Sequence, residues 1–334
     1  VLFCLPIIAF AQKDEMLYNL KEVPQSIYLN PAIQPSSRFN VSIPALGNVM
    51  LHAGKTDFKL RGIVNKQDTS FSIDSKAFVE SLEDKNSMFF NTNIEVFHVG
   101  FASGQNYFHF RIRERFSVET NFPKEAAMLG YEVYSNNFLG LSNNIRNFGV
   151  NQSHLREFGM GWSRTINDKF TVGVTAKMYY GVSAIQTKSS KLDIQTTFDP
   201  QTPSDSVYVD MGFDINTSGV NDYTENNFEN LLYKNNNWGF GFDLGASYKF
   251  NEKIEVSASA LDVLGKVNFS NNVRNFRRTN IGASLTTIEL ANLFASDQFV
   301  NELGRISDTV RNELNNLQEE TDAFSVNIPT RLMF

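Results

Sequence analysis

Between residues 170 and 182 the chain alternates apolar and polar positions without a break. Phe170, Val172, Val174, Ala176, Met178, Tyr180 and Val182 fall on one side, and Thr171, Gly173, Thr175, Lys177, Tyr179 and Gly181 on the other. A period of two is the signature of a β-strand, whose side chains point to opposite faces in turn. Residues 238–250 repeat it: Trp238, Phe240, Phe242, Leu244, Ala246, Tyr248 and Phe250 against Gly239, Gly241, Asp243, Gly245, Ser247 and Lys249. Shorter versions occur at Phe158, Met160 and Trp162, at Phe97, Val99 and Phe101, and at Ile254, Val256 and Ala258. A membrane-spanning strand needs roughly 9–11 residues, whereas a globular strand has about 5 or 6. Length and alternation together predict the wall of a transmembrane antiparallel β-barrel of the outer-membrane type, apolar face outward, with aromatic residues such as Trp162 and Trp238 near strand ends as an interfacial girdle. The competing architecture is a large soluble β-sandwich with one buried face, whose strands should be shorter.

The connections fit the same scheme. Asn167-Asp168-Lys169 and Asn251-Glu252-Lys253 each join two strands through a tight turn, where Asn tolerates positive φ. Long polar stretches, 136–152 and 216–237, alternate with them and read as loops. Two segments read as helices: 75–84, and an amphipathic insertion at 290–318 with Leu293, Val300, Leu303, Ile306, Val310, Leu314 and Leu317 on one side. Residues 12–38 hold Pro24, Pro31 and Pro35 with no sustained periodicity, and read as an extended plug-like or hatch-like segment before a barrel at 39–334.

Composition narrows the classes. After residue 11 no apolar run approaches the roughly 20 residues of a membrane-spanning helix, and mean hydropathy is -0.26. Net charge is -6, which argues against nucleic acid as a partner. The apolar stretch 1–11 ends Ala9-Phe10-Ala11 before Gln12, reads as part of a signal peptide, and implies export. Cys4 is the single cysteine and lies inside it, so beyond residue 11 there is no thiol for disulfides, zinc or nucleophilic catalysis.

An ordered series of short motifs carries a resemblance. It comprises Val23-Pro24-Gln25-Ser26, Leu29-Asn30-Pro31-Ala32, Ile43-Pro44, Phe108-x-Phe-Arg111-Ile-Arg113-Glu114-Arg115, Phe122-Pro123, Ile166-Asn167-Asp168-Lys169 and Gly241-x-Asp243-x-Gly245-x-x-Tyr248-Lys249. Together they resemble an uncharacterised family of outer-membrane barrels from Bacteroidota, a domain of unknown function distantly similar to FadL-like barrels. The resemblance runs from about residue 15 to the end and implies a barrel rather than a known activity. It makes Asn30, Pro31 and Ala32 plug candidates, since the hatch of FadL-like proteins carries an Asn-Pro-Ala element. It also implies a further strand at 328–332, with the barrel incomplete at the C-terminus.

Candidate chemistry is sparse. Arg111, Arg113 and Arg115 share one strand face and Phe108, Phe110 and Ile112 the other. Arginine near the midplane of a lipid face costs about 2–4 kcal/mol, so the arginines are expected in the lumen. There they either bind an anionic head group or pair with carboxylates such as Glu157 or Asp243. Glu114 falls on the apolar face and breaks the pattern. The glycines Gly159, Gly161, Gly173, Gly181, Gly239, Gly241 and Gly245 leave room inside the wall for a plug or ligand, or ease strand packing. His52, His98, His109 and His154 form no close-spaced metal pair, although His98 and His109 can share a face across a hairpin. No nucleophile elbow, phosphate loop or dinucleotide fingerprint is present. No catalytic residue, metal or cofactor is therefore expected, and no enzyme.

The resulting expectation is an outer-membrane barrel acting as a FadL-like channel for hydrophobic or amphipathic small molecules. The alternative is a structural or docking barrel of secretion or surface-motility machinery. Expected partners are outer-membrane lipid, a hydrophobic small molecule, and proteins bound through long loops or helix 290–318.

Overall fold

The computed structural model describes residues 18, 20, 22–43, 48–55, 64–67, 70–134, 142–197, 206–220, 229, 234–251, 254–286 and 320–334. The elements in chain order are a 3-10 turn (Pro24–Tyr28), β1 (Phe39–Ser42), β2 (Val49–Lys55), β3 (Val64–Gln67), β4 (Ser70–Ile73), α1 (Ser75–Glu80), β5 (Lys85–Ser103), β6 (Asn106–Pro123), α2 (Lys124–Tyr134), β7 (Ser142–Arg146), β8 (Gly149–Asn167), β9 (Phe170–Thr197), β10 (Ser206–Ser218), β11 (Trp238–Lys249), β12 (Glu255–Phe269), β13 (Val273–Thr286), β14 (Phe324–Asn327) and β15 (Arg331–Met333). The protein is all-β in class. Thirteen strands form one antiparallel sheet, and β3 and β4 form a separate hairpin.

Order in the sheet follows chain order. Both β1 and β2 pair with β5, and the path runs through β6 and β8 to β9, then through β11 and β12 to β14. β15 also pairs with β12, β7 and β10 flank the far half of β9, and β13 pairs with β10. Local chemistry sets the hairpins. Gly104, at φ 59°, turns β5 into β6. Asn167 turns β8 into β9, its Oδ1 accepting from the backbone N–H of Lys169 and Phe170 at 2.9 Å each. The helical segment expected at 75–84 is α1, capped by Asp74, whose Oδ1 accepts from the Ala77 N–H at 2.9 Å. α2 was not foreseen, although Pro123 ends the preceding strand and Lys-Glu-Ala-Ala-Met-Leu are good helix formers. Part of the loop expected at 136–152 is strand, in β7 and the start of β8. The helix expected at 290–318, the signal peptide expected at 1–11 and most of 216–237 between β10 and β11 lie outside the described residues.

The sheet curls but does not close. Neighbouring strands sit about 4.8 Å apart, so β6 and β12, four steps apart, would be separated by roughly 19 Å in a flat sheet. Yet Arg115 of β6 reaches Asp262 of β12 at 2.9 Å. One face is therefore concave. Among the described residues no pairing joins the β1–β2 edge to the β14–β15 edge or to β13. The transmembrane β-barrel expected from the strand pattern is corrected to an open antiparallel sheet. Closing a barrel requires end strands of matched length and shear, and here β1 and β14 have four residues each and β15 three. The architecture implied by the FadL-like resemblance fails at the same point. With it fall the channel for hydrophobic or amphipathic small molecules, the docking barrel of secretion or motility machinery, the outer-membrane location, and the partners that depended on it: membrane lipid, a hydrophobic small molecule, and proteins bound by the loops or helix 290–318. No helix among the described residues is long and apolar enough to cross a membrane.

The faces divide polarity in the reverse of the globular sense. Met160 is 68% and Phe240 62% exposed on the convex face, while Thr175 and Asp243 are fully buried on the concave one. Glu114 stands on the convex face and is neutralised there, its Oε1 accepting from Arg156 Nε at 2.5 Å and its Oε2 lying 3.0 Å from His154 Nε2. The segment 26–33 covers part of the concave face, with Ile27, Leu29, Ala32 and Ile33 buried. At another part of that face Leu155, Tyr179, Ala184, Val267, Phe269, Val273 and Phe324 form a small apolar core.

Two glycines set how closely the N-terminal segment approaches. A Cβ at Gly173 would lie 2.1 Å from the Pro31 carbonyl oxygen, and one at Gly245 would lie 2.0 Å from Asn30 Oδ1. The neighbour at Gly173 is backbone, so no rotamer change relieves the clash. Gly173→Ala is expected to cost about 1–3 kcal/mol in denaturant unfolding and to expose the segment around Asn30 to limited proteolysis; unchanged stability and unchanged cleavage would refute this contact.

Candidate functional site

Seven charged side chains converge on the concave face. Arg111, Arg113 and Arg115 are alternate residues of β6 and so share its inner side. Glu157 comes from β8, Lys177 from β9, Asp243 from β11 and Asp262 from β12. Glu157 is the hub: Arg111 Nε donates to it at 3.1 Å, Arg113 Nη2 at 2.7 and 2.8 Å, and Arg115 Nη1 at 2.8 Å. Arg111 Nη2 donates to Asp243 at 3.0 Å. Lys177 Nζ lies 2.5 Å from Asp243 and 2.6 Å from Asp262. Asp262 also accepts from Arg115 through both oxygens and from the Tyr179 hydroxyl at 2.8 Å.

Asp262 reaches the cluster because β12 is irregular. Asp262 and Leu264 have φ of 57° and 55°, and the pairing with β11 shifts register on both sides of Phe242. Such a bulge re-aims a side chain. The Asp262 N–H donates to Asp243 Oδ1 at 2.8 Å, which fixes the bulge to the cluster it serves.

The N-terminal segment closes one side. The Arg111 and Arg113 guanidinium carbons lie 4.6 and 4.7 Å from the centre of the Tyr28 ring. The Tyr28 hydroxyl donates to Glu95, which also accepts from Ser42. Arg331 of β15 adds a fifth cation at the rim, its Nη2 3.8 Å from Asp262 Oδ2, while Glu95 stands opposite Arg113 in the sheet. Asn30 is buried; its Oδ1 accepts from the Ala32 N–H at 2.9 Å and its Nδ2 donates to the Tyr18 hydroxyl at 3.2 Å. Pro31 and Ala32 lie against Gly173 and Gly245.

The electrostatics follow. Burial by itself would raise the Glu157 carboxyl, but Arg113, Lys177, Arg111 and Arg115 outweigh it and hold the group well below the usual carboxylate range. Asp262 is held down in the same way by Arg115 and Lys177. Burial pushes the Tyr28 hydroxyl up, reinforced by Glu95. His98 and His109 sit beside the cluster with ring centres 6.2 Å apart, and burial, with the Arg111 charge, depresses both. Among the described residues no three metal-ligating side chains gather as a cation site.

The arginine row was visible in the sequence, as were Glu157 and Asp243. Asp262, Tyr28 and Glu95 were missed. The alternation breaks at Ala260-Leu261-Asp262-Val263-Leu264, which was the available sign of the bulge. The spaces over several inner glycines are taken by side chains: His109 lies over Gly161, Arg111 over Gly159 and Phe269 over Gly181.

Beside the cluster lies a cavity of about 710 Å³. Both edges of the open sheet line it, through His52 of β2 and Asn327 and Arg331 of the C-terminal strands, and Arg115 and Asp262 form part of its wall. The rest is rich in amides and hydroxyls from β5, β6, β8 and β9, with the charged side chains Glu119 and Lys188 among them. A second cavity of about 640 Å³ shares Ser87, Asn151, Thr187 and Lys188 with it.

Two outcomes test the cluster. Glu157→Gln leaves three guanidinium groups and an ammonium facing too little negative charge, and a broken buried pair costs about 3–5 kcal/mol; equilibrium unfolding at neutral pH should show a loss of that size. The histidines govern the mildly acidic range. Neutral in the fold but protonated in the unfolded chain near the ordinary value of 6.5, they add stability that is full above that pH and falls as pH drops toward their depressed folded values. Glu157 and Asp262 remain ionised there, so the decline between pH 7.5 and about 5.5 belongs to His98 and His109. His109→Gln should flatten the dependence of the unfolding midpoint on pH; an undiminished slope would assign the effect elsewhere.

No curated protein and no solved structure matches this sequence. The match that exists carries no bacterial phylum, barrel or cellular location with it, which removes the remaining ground for the FadL-like and Bacteroidota assignment. Residues 31–334 match a family described as "Family of unknown function (DUF5723)", and the chain belongs to that family.

Proposed function

We propose that this protein is a non-catalytic binding protein that holds a small, uncharged, polar ligand in the cavity on its concave face. The observation that carries this reading is the lining of the 710 Å³ cavity, where amide and hydroxyl side chains outnumber charged ones and Arg115 and Asp262 are paired with each other. A ligand of several hundred cubic ångströms fits a pocket of this size. Acid–base catalysis asks for a group poised near the working pH. Glu157 and Asp262 are held far below it, and the buried histidines are held neutral away from the cavity lining.

The test is ligand-observed NMR of the full chain against a set of uncharged polar compounds (polyols, simple sugars, short amides), with each ligand's spectrum followed over a day. Saturation transfer to at least one compound, with no new resonances, is the expected result. Binding by none of them would refute the reading, and turnover of a bound compound would refute its non-catalytic part.

A further inference from the structure

Among the described residues no main-chain to main-chain hydrogen bond joins residues 24–33 to the sheet. Those that the segment makes run within it and its lead-in: Ser26 N–H donates to Val23, Leu29 and Asn30 N–H to Ser26, and Ile33 N–H to Asn30. Its attachments instead use side chains, and they bridge strands five steps apart in the sheet. At one end Tyr28 and Gln25 donate to Glu95 of β5, Gln25 at 3.4 Å. At the other, Ser259 Oγ of β12 donates to the Leu29 carbonyl oxygen at 2.5 Å, and Asn30 Nδ2 lies 3.4 Å from the Ala246 carbonyl oxygen of β11. The segment can therefore lift away without breaking a rung of the β-ladder, which makes it a unit of local opening.

His98 stands against the Tyr28 end of the segment. Its ring is buried and edge-on to Tyr28 with centres 6.1 Å apart, and its Nε2 has no hydrogen-bond partner among the described residues. Its own strand brings Glu95. β6 brings Arg111, directly opposite in register, His109 at 6.2 Å between ring centres, and Arg113, which reaches the same Tyr28 ring. β1 pairs Ser42 with it and holds no titratable residue. A neutral ring tolerates this setting, but a protonated one would face the Arg111 charge and need an anion. The nearby carboxylate is Glu95, which already holds the segment through Tyr28 and Gln25. Burial keeps His98 below the ordinary histidine value, with Glu95 opposing and Arg111 adding to the effect. Lifting the segment removes part of that burial, so the open form binds the proton more tightly than the closed one.

We propose that residues 24–33 are an acid-released strap: on taking up a proton, His98 draws Glu95 away from Tyr28 and Gln25, and the strap lifts from the concave face while the sheet keeps its pairing. The sign follows from linkage. The closed strap is fully favoured above the ordinary histidine value of 6.5 and loses ground as pH falls below it. One pH unit below that value the open fraction is about tenfold larger. The apolar contacts of Ile27, Leu29, Ala32 and Ile33 are untouched by the proton, so the opening is a shift in population and not a full detachment. It uncovers the guanidinium faces of Arg111 and Arg113 that Tyr28 otherwise covers. The strap is independent of the proposed ligand, since none of its residues lines the 710 Å³ cavity.

The experiment is hydrogen–deuterium exchange of the full chain, read by mass spectrometry between about pH 7.5 and pH 5.5 and corrected for the intrinsic pH dependence of amide exchange. Peptides covering 24–33 report the strap, and peptides covering 170–182 report the sheet. It is run on the wild type, His98→Gln and Tyr28→Phe. In the wild type, strap protection is expected to fall about tenfold over this range while 170–182 keeps its protection. His98→Gln, which cannot take up the proton, should abolish the fall. Tyr28→Phe removes the hydroxyl that Glu95 holds, and should weaken strap protection several-fold already at pH 7.5. Constant strap protection in the wild type would overturn the proposal, as would an equal loss in 170–182, which would make the event global unfolding. An undiminished fall in His98→Gln would overturn the role of His98. Unchanged protection in Tyr28→Phe would overturn the role of the Glu95 contact, whether or not His98→Gln folds.

Discussion

Glu157 has three arginines and a lysine within 4 Å of its carboxylate, in a place that water does not reach. A buried charge is tolerable only when it is paired and its remaining donors and acceptors are satisfied. That requirement reaches across the whole sheet. The arginines stand on β6 and their partners on β8, β11 and β12, so the network can be completed only if the sheet bends until those strands face one another. The curl, the bulge that turns Asp262 inward and the seating of Tyr28 over Arg111 and Arg113 are consequences of that one matching problem. Such a network adds little net stability over an apolar core of the same shape. Its value lies in specificity, since a strand shifted by one residue would swing its charges to the other face.

The N-terminal segment belongs to the same solution. Residues 26–33 have no regular strand to contribute, yet they are buried, because they supply what the sheet lacks: an aromatic face for two guanidinium groups, a hydroxyl for Glu95 and an amide at Asn30. Gly173 and Gly245 let that segment lie against the wall at a distance any side chain would forbid. The small apolar core around Phe269 and Phe324, whose rings stack at 5.3 Å, covers another part of the concave face. Between these covers the polar wall remains open at the two sheet edges, and the cavity lies there.

The sequence shows much of the wall and little of its closure. Strict alternation at 170–182 and 238–250 identifies strands and separates their faces, because side-chain direction in a strand is a local property. Whether the end strands find one another is not local. It depends on lengths and registers more than two hundred residues apart, such as four-residue β1 at one edge and three-residue β15 at the other. Alternation read as a lipid-facing wall therefore carried an assumption of closure that the pattern itself never contained. Asp262 was hidden for a related reason: a bulge shifts the register, so a strict period-2 count assigns its neighbours to the wrong sides. Tyr28 was hidden in a stretch whose prolines announce only turns. The arginine row was legible because three charges at alternate positions have few ways to be accommodated, and Glu157 and Asp243 stood on strands whose faces were already separated.

The same charge matching bears on what the concave face can do. Every cation in the cluster is committed to an acid, and Glu157, Asp243 and Asp262 each to more than one cation, so the groups that look most like catalytic machinery are the ones least free to change protonation state. Arg115 and Asp262 reach the cavity wall already neutralised by each other. Beside them the lining is mostly amides and hydroxyls, with Glu119, Lys188 and Arg331 as its other charged groups. Sites of that composition discriminate by the number and placement of hydrogen bonds, because each amide left without a partner on ligand entry is a penalty against the wrong ligand. On the proposed reading, the ion network acts on the ligand only indirectly, by holding β5, β6, β8 and β9 at the curvature that brings their neutral side chains to one cavity.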